Sequence, residues 1–141
     1  MLEQKIVAFE PGDGFSIVGA NIFADEEDFP GVVIAASNLS QDFTKVIGRQ
    51  SNPIVKTGPS PSTGKSCIVI GSLNKSPTIR LLKDQGKIDP SRIEGKWESW
   101  MTTIVHNPFD GYDSALVIAG SDKRGAIFGT YSLSEQIGVS P

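Results

Sequence analysis

At 141 residues the chain has the length of one domain with a sizeable core, and its 38% hydrophobic and 21% charged residues are ordinary for a soluble globular protein. A net charge of −3 without a Lys/Arg cluster argues against a nucleic-acid partner. No apolar run approaches the roughly 20 residues of a membrane span, and one cysteine, Cys67, excludes an internal disulfide framework.

From the N-terminus, MLEQKIVAFEPG has no apolar signal-peptide core. Lys5–Glu10 and Phe15–Gly19, joined by Pro11-Gly12-Asp13-Gly14, predict a β-hairpin. The acidic stretch Asp25–Asp28 precedes Pro30, which is suited to a first helical position, and places negative charge at a helix N-terminus. Val32, Ala36, Leu39, Phe43 and Val46 recur at helical spacing, and Gly48 is the expected stop.

A short strand around Ile54–Lys56 leads into the loop Gly58–Gly64 and the strand Ser66–Gly71. Ser76 and Pro77 open a second helix that carries Ile79 and Leu82 and ends near Gly86. Trp97–His106 and Leu116–Ala119 read as strands separated by a turn. A third helix is expected from about Arg124 to Ile137, with Ala126, Ile127, Thr130, Leu133, Ser134 and Ile137 inward. This order, with pairs of strands between helices, predicts an α+β two-layer sandwich. Its sheet is mixed or antiparallel with helices on one side, and no domain boundary lies within residues 1–141.

Candidate chemistry is sparse. GPSPSTGKS (Gly58–Ser66) imitates a phosphate-binding loop, but five residues separate Gly58 from Gly64 and two prolines remove backbone donors. Lys65-Ser66 also enters a strand where a phosphate loop needs a helix N-terminus. Cys67 reads as a buried, inert thiol, and His106, the only histidine, stands at a strand end with no metal-ligand cluster. Trp97 and Trp100, three apart on one expected strand, should face opposite sides, as a sugar-stacking platform or as core. The acidic run Asp25–Asp28 suits a helix dipole better than a rigid glycosidase carboxylate pair.

The strongest candidates are Asp122, Lys123, Arg124, Gly125 and Gly129. Asp122 can cap the third helix, and the two small glycines leave a strip for close approach by the sheet or another domain. Lys123 and Arg124 could brace a neighbouring domain or meet a sugar carboxylate.

The final block, ALVIAGSDKRGAIFGTYSLSEQIGVSP, resembles the signature of glycoside hydrolase family 115, the xylan α-1,2-glucuronidases. Gly95-Lys96-Trp97-Glu98-Ser99-Trp100, Val105-His106-Asn107-Pro108 and the stretch PGDGFSIVGANIFADEEDFPGV are also similar to that family, with Ala126, Phe128 and Trp100 as departures. The resemblance implies an N-terminal accessory domain with the fold of the small domain before the barrel in β-hexosaminidases and family 67 α-glucuronidases. It implies a downstream catalytic barrel as partner, glucuronoxylan or aldouronic acids as the whole enzyme's substrates, and inverting hydrolysis. The barrel would carry the catalytic residues, so none is assigned here; no cofactor or metal is implied, and the family's role favours secretion. A free-standing carbohydrate-binding or protein-interaction module is the alternative, favoured by an exposed Trp with a polar rim.

Overall fold

The computed structural model describes residues 7–8, 15–16, 21–47, 53–55, 66–108, 112 and 114–136. Strands β1 (Val7–Ala8) and β2 (Phe15–Ser16) form a separate pair. They run parallel, with Val7 opposite Phe15, so the expected hairpin does not form. A hairpin needs antiparallel strands, and two-residue strands carry too little alternation to dictate direction. Residues 11–14, the expected turn, lie outside the described residues.

The main body comprises β3 (Asn21–Ala24), α1 (Pro30–Ile47), β4 (Pro53–Val55), β5 (Ser66–Ser72), α2 (Pro77–Asp84), β6 (Trp100–His106), β7 (Ser114–Gly120) and α3 (Lys123–Gln136). Its strands lie in the order β4-β3-β5-β7-β6. The first four are parallel and β6 runs antiparallel to β7, giving the expected mixed sheet with three helices, an α+β domain. In register, Phe23 sits beside Val69 and Val69 beside Val117. These central strands are apolar on both faces, as parallel strands covered on both sides must be.

The helices are not all on one side. Ile22, Ile68, Ile70, Leu116 and Ile118 face Val32, Ala36 and Leu39 of α1 and Ala126 and Leu133 of α3. Phe23, Cys67, Val69, Ala115 and Val117 face Ile79 and Leu82 of α2. Connections between parallel strands are right-handed, so their direction along the sheet selects the face their helix covers. The chain moves from β3 through α1 to β4 in one direction, and from β5 through α2 and β6 to β7 in the other. The result is a third layer where two were expected.

Helix α2 matches its sequence signals closely. Ser76 caps it by accepting the Ile79 N–H at 3.2 Å, and Pro77 occupies the first turn. At its far end Gly86 adopts φ +73°, and Lys87 and Gly86 donate backbone N–H groups to the Leu82 and Lys83 carbonyls at 2.9 and 3.0 Å. This pair of bonds is the glycine-closed helix end that satisfies otherwise orphaned carbonyls.

The acidic run does not simply line the start of α1. Glu26 and Glu27 are exposed, whereas Asp25 and Asp28 are buried and bond across the sheet. Asp28 accepts the Phe29 N–H at 2.8 Å, the Ser72 N–H at 2.8 Å and the Ser72 hydroxyl at 2.7 Å. Asp25 accepts the Ser76 hydroxyl at 2.6 Å, the Thr78 N–H at 3.0 Å and the Thr78 hydroxyl at 2.9 Å. The two carboxylates therefore tie the end of β3 to the end of β5 and the start of α2. Removing Asp25 strands three buried donors, so Asp25→Ala should lower the unfolding free energy by about 2–4 kcal/mol. Exposed Glu26→Ala should stay within about 0.5 kcal/mol, and urea denaturation of the two variants checks both values.

Candidate functional site

The parallel strands β3, β5 and β7 all point their C-terminal ends at one rim, where α1, α2 and α3 begin. In open sheets of this kind, ligands ordinarily sit in the crevice where strand order reverses. Here that place lies between β3 and β5, and Asp25, Asp28, Ser72 and Ser76 fill it with their own hydrogen bonds. The N-terminus of α2, a ready anion site, already receives the Asp25 carboxylate. Residues 58–65 of the imitation phosphate loop lie outside the described residues, but Ser66 does open strand β5, as expected.

The outer rim carries the sequence candidates. Asp122 caps α3 by accepting the Gly125 N–H at 2.8 Å through one oxygen. Its other oxygen accepts the Glu98 N–H at 3.0 Å. Arg124 meets the Glu98 carboxylate at 3.0 Å in a surface pair, and such exposed pairs contribute at most about 1 kcal/mol. Lys123 is exposed, with its Cε beside Gly31 at the start of α1.

Gly125 and Gly129 face Ser99, Trp100 and Ile118 of the same chain. A Cβ on Gly125 would fall on the Ser99 carbonyl oxygen, and one on Gly129 would come within 2.7 Å of Ile118 and 2.8 Å of the Trp100 ring. The strip they create is occupied by Ser99, by Trp100 of β6 and by Ile118 of β7. Glycine spacing announces close approach but does not name the approaching element. Gly125→Ala must displace backbone, so it should cost about 2–3 kcal/mol, more than Gly129→Ala, where side chains can shift. Thermal and urea unfolding of the isolated chain measure the difference.

Trp100 packs under α3, its ring 6.5 Å from Phe128 in an edge-to-face arrangement. Trp97 is not on the strand, because β6 begins at Trp100. Instead it stands 87% exposed in a turn where Gly95 has φ +77° and Glu98 φ +53°. The turn is held by Ser99 N–H to the Ser121 hydroxyl at 3.0 Å and Ser121 N–H to the Ser99 carbonyl at 2.8 Å. Sequence reasoning missed Glu98, Ser99 and Ser121; Gly95 was the available sign of a turn. Beside it lies an open cleft of about 600 Å³, with Gly95, Asn74, Arg80, Asp84, Glu94 and Ser121 in its walls.

His106 is exposed at the end of β6, as expected, and no group of three metal-ligating side chains occurs among the described residues. No described helix is long and apolar enough to cross a membrane. Cys67 is fully buried, and burial pushes its thiol up to about 12, away from nucleophilic use. The unfolded thiol ionises near its ordinary 9.0, so from there to about 12 only the unfolded chain loses this proton. This contribution to stability is intact below pH 9.0 and is lost as pH rises to about 12. Cys67→Ala should flatten the alkaline decline by up to about 1.4 kcal/mol per pH unit, readable from urea curves across that range.

No protein-family model and no curated protein matches the chain. Among solved structures it is similar to a family GH115 4-O-methyl-α-glucuronidase with specificity for decorated arabinogalactans. The likeness has a TM-score of 0.64 and 26% identity over 86% of this chain. The chain spans 14% of the length of that enzyme, so the likeness is to one domain-sized part of it.

Proposed function

We propose that this chain is the non-catalytic N-terminal accessory domain of a glycoside hydrolase that removes glucuronic acid or its 4-O-methyl ether from xylan by inverting hydrolysis. The observation that carries this reading is the likeness of 86% of the chain to 14% of a glucuronidase. The motif resemblance in Gly95–Trp100 and Ala115–Pro141 points the same way.

The buried acids support the non-catalytic part. Inversion requires two carboxyl groups roughly 6.5–9.5 Å apart with room for a water between them. Asp25 and Asp28 are buried and bonded to Ser72, Ser76 and Thr78, which makes them struts of the fold. In this reading a downstream barrel supplies the acid and base and binds the glucuronoxylan or aldouronic acid. Lys123 and Arg124, exposed at the head of α3, brace the seam with that barrel.

The purified 141-residue chain should release no glucuronate from aldouronic acids, glucuronoxylan or decorated arabinogalactan. A longer product of the same reading frame should release it with inversion, followed by NMR of the freed anomer. Turnover by the chain alone, or a reading frame that encodes no barrel, would overturn the proposal.

A further inference from the structure

We propose that the cleft between α2 and the Gly95–Ser99 turn binds a neutral pyranose-containing glycan, with Trp97 as its stacking platform. This inference does not rest on the accessory-domain reading: a chain without a barrel could bind a glycan, and an accessory domain could fail to.

The first ground is the placement of Trp97. Large aromatic side chains are normally drawn into cores or interfaces, yet this indole is 87% exposed. Its turn is held firmly by Glu98 and Ser99 N–H groups donated to Asp122 and Ser121, and by the Arg124–Glu98 pair. Glu98 is not glycine but has φ +53°. Such backbone strain persists only where surroundings over-determine it, and it gathers at ligand clamps. The result is an aromatic side chain carried into water on a firmly held turn.

The second ground is the adjoining cleft. Gly95 forms part of its wall, and Trp97 follows two residues later, within about 7 Å along the chain. The charged walls carry Arg80 and Lys83 against Asp84 and Glu94, two of each sign, with Asn74 and Ser121 adding neutral polar groups. Lys83 and Glu94 are already paired at 2.7 Å. Mixed donors and acceptors without net charge suit the vicinal hydroxyls of a sugar, while Trp97 offers a flat face to its C–H surface. A phosphate finds no excess cation there, and Asp25 holds the nearby α2 N-terminus. A protein partner fits less well, because Trp97 is flanked by exposed Lys96 and Glu98, whereas interface centres are depleted of charge.

The test uses the 141-residue chain on an array of xylo- and galacto-oligosaccharides, unsubstituted and uronate-bearing, followed by titration calorimetry with the best binder. Unsubstituted and uronate-bearing forms should bind within about threefold of each other, as a cleft without net charge implies. Trp97→Ala should weaken binding at least about tenfold without lowering the melting temperature, since the side chain is exposed; stacked aromatics carry effects of that size. Arg80→Ala should weaken it several-fold. Absence of binding to every arrayed glycan, binding indifferent to Trp97→Ala, or binding confined to uronate-bearing forms would each overturn the proposal. So would a result in which Trp97 governs association with a separately expressed barrel while no glycan binds.

Discussion

Two buried carboxylates, Asp25 and Asp28, hold the C-terminal rim on which the rest of the architecture depends. Taking a carboxylate out of water is costly unless strong partners replace its hydration. Asp25 receives two hydroxyls and a backbone N–H at the start of α2, and Asp28 receives two N–H groups and a hydroxyl. Bonds to a charged acceptor are about twice as strong as neutral ones, and the α2 dipole adds to those at Asp25. The geometry therefore locks β3 against β5 at the point where the chain reverses direction. Lys75, whose ammonium lies 4.7 Å from the Phe29 ring centre, adds a second tie between the β5–α2 loop and the entry to α1.

That lock also explains which parts of the fold the sequence made legible. Helix α2 announced itself through Ser76, Pro77 and Gly86, residues whose backbone roles are local. Strands β5 and β7 did so through unbroken apolar runs. Strand β3 did not: Asn21–Ala24 is four residues long, and its apolar residues are buried on both faces, so it shows no alternation. The acids after it read as an approach to α1, although two of them reach residues 44 to 53 positions away. Without β3 the pattern contains no parallel connection, and nothing in it separates the helices onto two faces.

The outer rim was partly legible for a related reason. Asp122 as a cap follows from local chemistry, and the cap is there. Its second bond, to Glu98 N–H, joins residues 24 apart and depends on β6 lying beside β7. Trp97 looked like a strand residue because the apolar pattern continues into Trp100–Val105. The backbone leaves that pattern at Glu98, where Asp122 and Arg124 hold a conformation that propensity alone would not choose. Gly125 and Gly129 were legible as sites of close approach, but only the sheet order reveals that β6 and β7 make that approach.

The same few atoms thus serve both halves of the outer rim. Asp122 fixes the head of α3 with one oxygen and the Trp97 turn with the other, while Arg124 reaches from that helix to Glu98 in the turn. A carboxylate presented to Arg124, from a neighbouring domain or an acidic sugar, would compete with Glu98 for the guanidinium. The Asp122 bonds would remain, because they are made to backbone groups. The turn would then lose its tie to Arg124 and keep its backbone bonds to Asp122 and Ser121. Fold likeness alone does not assign a function to such a rim. Its chemistry follows from this division between a filled inner crevice, where carboxylates occupy the place of a ligand, and an outer cleft whose polar groups remain in contact with water.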